Sequence, residues 1–303
     1  MTRFWKLTKR NMLLYFRDRS AVFFSLLSML IVIVLMVLFL SDANIDQITD
    51  MLAGLPGHDT ADDRDNARIL VLAWTSAGIL PINAVMVSLS ALTSIIRDKT
   101  SGRIHAIYTA PVSRMVITLS YIMAAWICAV IVCLLTLGLS ELYLCMNGME
   151  PYSLQEHLIL TGMILLNGFT YSAVMYLCAA LVKSEGAWSG VGTILGTLVG
   201  FLGGIYMPVG QLSDYLQDAV GCLPIIYGTV MFRKIMLAPV LDTTFADAPD
   251  AMTDGYREAM GIDYAVFGHT ADIGLCISVV LAFGLLFMLL GAAATAMRRR
   301  RDR

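Results

Sequence analysis

Apolar residues in this chain come in runs too long for the core of a soluble domain. Residues 69–96 and 115–140 contain no Asp, Glu, Lys or Arg. Each, wound as a helix, is long enough to cross a hydrocarbon layer of about 30 Å. Further runs occupy about 20–41, 158–182, 187–207 and 273–297. The pattern predicts an all-α membrane protein with six transmembrane helices. An interfacial helix over 1–19 precedes a membrane domain over 20–303. The first run follows six basic residues, as a signal peptide would, but it is near twenty residues long. Secretory apolar cores are about 7 to 15, so this run is expected to remain as a span.

The intervals between runs carry the orientation. Residues 1–19 hold Arg3, Lys6, Lys9, Arg10, Arg17 and Arg19, with Phe4, Trp5, Met12, Tyr15 and Phe16 roughly on one helical face. That is the pattern of an amphipathic helix lying at the membrane surface. Residues 42–68 carry seven acids against Arg64 and Arg68, and 141–157 carry three acids and no Lys or Arg. Sixteen of the 21 Lys and Arg fall in the N-terminal, 97–114, 183–186 and C-terminal segments. By the positive-inside rule those segments and both termini are cytoplasmic, and the expected location is the plasma membrane. The arginine run 298–301 follows a span directly, so it reads as an anchor beside anionic lipids and not as a nucleic-acid site.

Within 97–114, Ile104, Ile107 and Tyr108 recur at helical spacing until Pro111 stops the pattern. This is a short amphipathic helix on a cytoplasmic loop, either resting on the membrane or docking a partner. Residues 208–272 form the longest interruption. Ala219–Phe232 is apolar, only 14 residues long and broken by Pro224, which suits a re-entrant or interfacial piece. The acidic residues from Asp242 to Asp272 read as a solvated outer loop.

Composition agrees with a membrane protein. The chain is 58% hydrophobic and 15% charged, with a mean hydropathy of +0.74, where soluble domains carry about 25% charged residues. The six Cys include no C-x-x-C pair and read as small core residues. Cys145 and Cys222 both fall toward the outer face, which permits a disulfide. No metal site is expected.

No charged side chain lies centrally in a predicted span, and His58, His105, His157 and His269 fall in loops or near span ends. That argues against a proton-coupled carrier. There is no G-x-S-x-G, H-E-x-x-H or G-x-x-x-x-G-K-[ST], so the chain is not expected to be an enzyme, and ATP, if used, is bound elsewhere. Milder polar groups, among them Asn83, Asn167 and Tyr171, either bond across helices or line a weakly polar path. Gly192, Gly196, Gly200 and Gly204 are four apart, which permits close approach of another helix, of a second subunit, or of a path lined by backbone.

These features together resemble the membrane subunit of type 2 ABC exporters, the multidrug-type permeases that pair with a separate ATPase. The resemblance rests on Asp98, Gly102, Ile104, Pro111, Val112 and Arg114 in the loop, on Arg10-Asn11 and Arg17-Asp18 before the first span, and on Tyr206-Met207-Pro208 with Leu223 to Tyr227. Thr100, His105 and Ala110 depart from the family pattern. The resemblance implies a cytoplasmic coupling helix made by Asp98, Gly102, Arg103, Ile104, His105, Ile107, Tyr108 and Pro111. It implies an outer re-entrant hairpin in which Tyr206, Pro208, Pro224 and Tyr227 act as a gate. It also implies an ABC ATPase partner that carries ATP and Mg, a second membrane subunit, identical or related, and export of an amphipathic or lipophilic substrate. An ATP-independent channel or sensor subunit is the alternative.

Overall fold

The computed structural model describes residues 2–20, 22–23, 27, 34, 41–53, 55, 60–246, 248–266 and 269–301. The predicted first span, about 20–41, lies almost entirely outside the described residues.

Helix α1 (Thr2–Arg17) forms where the basic amphipathic segment predicts it. Its inward face follows the expected one in part: Tyr15 is buried with Thr8 and Asn11, and Phe4, Met12 and Phe16 are half-buried, while Trp5 is exposed. The buried face carries small and hydrogen-bonding groups because it packs on α3 and α5, described below, and so Trp5 is left outward. Helix α2 (Ser41–Leu52) follows in the acidic interval between predicted spans, where the charge pattern predicts a loop. Ile45, Ile48 and Leu52 recur at helical spacing and are buried against α3. Acidic composition sets which face of this helix meets water, without preventing the helix.

Helix α3 (Thr60–Thr100) runs 41 residues, about 60 Å at 1.5 Å per residue, well past the predicted 69–96. Asp62 and Asp63 sit in its first turn and Arg97 and Lys99 in its last, charges that suit the helix dipole at both ends. Pro81 lies inside it, buried. Helix α4 (Arg103–Thr109) is short. Helices α5 (Arg114–Met146) and α6 (Leu154–Leu181) start at serine caps, Ser113 accepting from the Val116 N–H and Ser153 closing a capping box with Glu156. Helix α7 (Glu185–Leu202) is capped by Ser184 and has 18 residues.

After α7 the chain builds a lobe peripheral to the helical bundle, called the outer lobe for that position, from α8 (Asp214–Gly221), α9 (Pro224–Met236), α10 (Ala238–Thr244) and α11 (Asp250–Ala259). A two-residue antiparallel ladder, Ala265–Val266 with His269–Thr270, leads into α12 (Ile273–Arg301). The stretch from Asp242 to Asp272, expected to be a solvated loop, is therefore mostly folded and packed. Val240, Leu241, Phe245, Tyr256, Ile262 and Tyr264 are among the side chains buried here, while Asp242, Asp250, Asp254, Glu258 and Asp272 stay outward.

Among the described residues, four helical segments, Asp62–Thr100, Arg114–Met146, Leu154–Leu181 and Ile273–Ala296, are long and apolar enough to cross a membrane. The pair Tyr215–Gly221 and Pro224–Met236, bent by 93°, makes a fifth if taken as one broken span. Helix α7 ends at Leu202, five residues before the predicted limit of the fifth span.

Helices α3, α5, α6 and α12 form the central bundle, joined by hydroxyl and amide bonds. Ser88 meets Ser172 at 3.0 Å, and Asn83 Nδ2 donates to Thr136 Oγ1 at 3.0 Å. Tyr176 Oη lies 2.8 Å from Thr118 and 3.1 Å from Thr295, and Thr170 donates to the Val280 carbonyl at 2.9 Å. In lipid, such bonds and close packing hold helices together, since hydrocarbon offers no hydrophobic gain between them.

Candidate functional site

The short helix α4 is set by its ends. Gly102, at φ 73°, takes a left-handed turn that frees α4 from the direction of α3, and Ala110-Pro111 stops it in extended backbone. Ile104 is 5% exposed and pins the helix to the protein. Arg103, His105 and Pro111 are exposed, while Ile107 and Tyr108 are half-buried. The Arg114 guanidinium lies over the Tyr108 ring, 4.2 Å from its centroid. Between α1 and α4 is a groove of about 370 Å³ with an apolar floor, Leu7, Ala106, Ile107 and Val112, and Arg3 and Lys6 at its edge. Arg3 donates to the Pro111 carbonyl, closing one side.

Asp98 stands apart from that surface. It lies on α3, 2% exposed, and takes two hydrogen bonds from Arg10, Nη1 to Oδ2 at 2.7 Å and Nη2 to Oδ1 at 2.6 Å. Tyr121 Oη donates a third at 2.6 Å. The bond to Asp98 raises the Arg10 pKa against the opposing effect of burial. Next to it, Lys99 Nζ donates to the carbonyls of Ala179, Ala180 and Val182, capping the end of α6. Thr100 donates to Glu185 at 2.9 Å. The basic end of the bundle is thus fastened to α1, α5, α6 and α7 through three consecutive residues of α3. Spacing along the sequence carries no sign of these partners, which sit 23 to 88 positions away.

The glycines divide. Added Cβ atoms at Gly192 and Gly196 would lie 3.3 Å from Leu89 and 3.7 Å from Met86, both on α3, so this face packs within the chain. Gly200 abuts the Tyr206 ring, and the end of the helix sits tightly there. Gly204 is past the helix end, at φ 67° in a left-handed turn, and does not extend the glycine face as the spacing predicted. The opposite face of α7 presents Gly190, Thr193, Ile194, Thr197, Leu198 and Phe201 to the outside.

Asn167 and Tyr171 of α6 point at α9. Asn167 Nδ2 donates to the Met163 carbonyl at 2.9 Å, Tyr171 Oη donates to the Pro224 carbonyl at 3.4 Å, and a Cβ at Gly228 would collide with Asn167 Oδ1. Asn83 is buried at its bond to Thr136. Tyr206 is exposed and stacks edge-on with Phe201, whereas Pro208 is buried at the next turn. Tyr227 donates to the Gly221 carbonyl at 2.8 Å and so braces the bend between α8 and α9.

The residue that sequence reasoning passed over is Arg233. It is fully buried on α9 and sits over the Trp74 ring at 4.2 Å. Its Nη2 donates to the Gly204 carbonyl at 2.8 Å and its Nη1 to the Met260 carbonyl at 3.2 Å, which also accepts from Trp74 Nε1 at 2.9 Å. One side chain joins α3, the turn after α7 and the outer lobe. The Arg233-Lys234 pair interrupting an otherwise apolar segment was its signal in the sequence. Nearby, Asp263 takes bonds from Arg257 at 2.6 Å and Lys234 at 2.9 Å. Burial raises the Asp263 pKa, but those two cations outweigh it and hold it below 3.8. Cys145 and Cys222 are both free thiols.

A bundle of long apolar helices with an outer helical lobe and a short helix projecting at its basic end defines a multi-pass membrane protein. Residues 58–294 match the family described as ABC-2 family transporter protein, and the chain belongs to that family. It is a membrane permease of the ABC transporter class, and membership implies association with an ABC ATPase. A comparison with curated proteins finds no match.

Proposed function

We propose that the chain is the membrane subunit of an ATP-driven exporter of amphipathic or lipophilic compounds. A separate ATPase binds ATP and Mg, and helix α4 docks into it. The observation that carries this reading is the geometry of α4: a helix freed by Gly102, pinned by Ile104 and edged by the apolar groove beside Ile107. It stands at the end of the 41-residue α3, so a push on α4 is delivered to the bundle.

In this reading six helices span the plasma membrane, with residues about 20–41 the first and both termini cytoplasmic, as the distribution of Lys and Arg favours. Two membrane subunits, identical or related, meet through the outward face of α7. Its exposed Gly190, Thr193 and Thr197 suit close helix contact or a weakly polar path. The outward positions of α12, Leu275, Leu281, Leu285 and Leu289, suit lipid. The bent pair α8 and α9, with Tyr206, Pro208, Pro224 and Tyr227, forms the outer gate.

Affinity purification of the tagged chain from its own membranes in mild detergent tests this. An ATPase subunit recovered in near-equal amount, with activity altered by candidate compounds, supports it. Recovery of the chain alone, under conditions that keep other ABC complexes intact, overturns it in favour of an ATP-independent channel or sensor subunit.

A further inference from the structure

A second cavity, about 600 Å³, lies between the end of α1 and the basic end of α3. Ser90, Thr93, Ser94 and Arg97 line it from α3. They recur at helical spacing, so they form one stripe, and Ser90 to Arg97 spans about 10 Å along the axis. Hydroxyl groups therefore continue from the level of the guanidinium into the depth where the apolar run of α3 begins. Leu14 and Ala91 supply an apolar wall.

The charges in the cavity are unevenly satisfied. Asp98 is occupied by Arg10 and Tyr121, and Asp18 is held by Arg97 at 3.2 Å. Arg103, also on the wall, has no carboxylate partner among the described residues, and the Ser90 hydroxyl has no bond among them either. Counting Arg10 behind Asp98, three guanidinium groups face two carboxylates. The excess is positive, at a membrane surface, beside an apolar wall.

We propose that this cavity binds the phosphate headgroup of an anionic lipid. Arg103 and the outer N–H groups of Arg97 hold the phosphate, the Ser90 and Ser94 side of α3 faces the glycerol region, and the acyl chains leave along Leu14. A guanidinium pair suits phosphate because its N–H groups are fixed in a fork that matches two oxygens. A membrane ligand is favoured over a soluble anion because half the wall is apolar and the hydroxyl stripe runs toward the hydrocarbon. The site rests on the cytoplasmic placement of this end, where anionic lipids concentrate.

The test uses the purified full chain in detergent, with phosphatidylglycerol or phosphatidylcholine added and retention read by native mass spectrometry. Phosphatidylglycerol should be retained preferentially, and Arg103→Gln should weaken it at least tenfold. Lys183→Gln, an exposed cation on another turn, should leave it unchanged. Ser90→Leu, which fills the cavity without touching a charge, should also displace the lipid. Arg103 makes no ion pair among the described residues, so its variant is expected to melt as the wild type does. Equal retention of the two lipids, wild-type retention in Arg103→Gln, or full displacement by inorganic phosphate alone would overturn the proposal. No ATPase or nucleotide enters the measurement, so failure to find an ATPase partner leaves its result standing. Labelling of Arg103→Cys from either side of intact membranes tests the orientation separately.

Discussion

Arg10 and Asp98, 88 residues apart, close a two-bond ion pair in which the carboxylate is almost wholly withdrawn from solvent. Helix α1 carries one partner and the end of α3 the other, so the pair fixes the N-terminal helix against the bundle. Removing one member strands the other. Asp98→Ala should cost about 3 kcal/mol by leaving Arg10 and Tyr121 without their acceptor. Asp98→Asn should cost less, since an amide oxygen still accepts. Thermal melts in detergent check the order, and limited proteolysis should show cleavage near α1 rising in step.

Arg233 predicts a failure of conservative substitution. Lysine cannot bridge the Gly204 and Met260 carbonyls while stacking on Trp74. Arg233→Lys and Arg233→Met should therefore both destabilise the protein by about 3 kcal/mol, through the Gly204 carbonyl left without its guanidinium donor and the lost bond to Met260, whose carbonyl keeps only Trp74 Nε1. A melting point for Arg233→Lys close to that of the wild type would contradict this account.

Glycine substitutions separate packing from mere flexibility. Gly210→Ala directs a methyl group into the backbone carbonyls of Glu258 and Ala259, which cannot step aside. About 2 kcal/mol of overpacking is expected there. At Gly162 a Cβ meets nothing within 4 Å, and Gly162→Ala should stabilise helix α6 slightly. Chemical or thermal denaturation of the two variants side by side decides it.

For the coupling reading, Ile107 is a better probe than Ile104. Ile104 is buried, so Ile104→Asp threatens the local fold, whereas Ile107 borders the open groove. Ile107→Asp should cost the fold about 1 kcal/mol, less than Ile104→Asp, while lowering recovery of the ATPase about tenfold. Export should fall in parallel, and unchanged export would remove α4 from the coupling role.

Acid should loosen the outer lobe. Asp263 has a lowered pKa in the folded protein. Its stabilising effect is therefore complete above the unfolded value, 3.8, and is lost as pH falls below that through the folded value. Hydrogen exchange across Arg257–Tyr264 between neutral pH and pH 3 should show protection falling only below about 4. Asp263→Asn should abolish that dependence.

Four of the predicted spans were legible because charge-free runs of more than twenty residues permit little else. The short helix α4 was legible too, since Pro111 and the Ile104-Ile107-Tyr108 spacing bound it on the page. What escaped was whatever depended on distant partners or on faces. Ile45, Ile48 and Leu52 were hidden among acids whose charge suggested a loop. Asp98 read as a surface acid of the coupling segment because nothing local announces Arg10. Gly204 fitted a four-residue repeat, yet its left-handed φ ends the helix that the repeat described. The outer lobe hinged on Arg233, whose three attachments come from segments up to 159 positions away along the chain, from Trp74.

The unbroken length of α3 turns these local attachments into a question of leverage. From Trp74, tied beneath the outer lobe, to Asp98, tied to the N-terminal helix, the axis covers about 36 Å. Were such a rod to tilt by ten degrees about its upper tie, its lower tip would travel about 6 Å, roughly one helical turn. Small angular play at one membrane face would thus become a full step at the other, with no hinge in the middle needed to produce it.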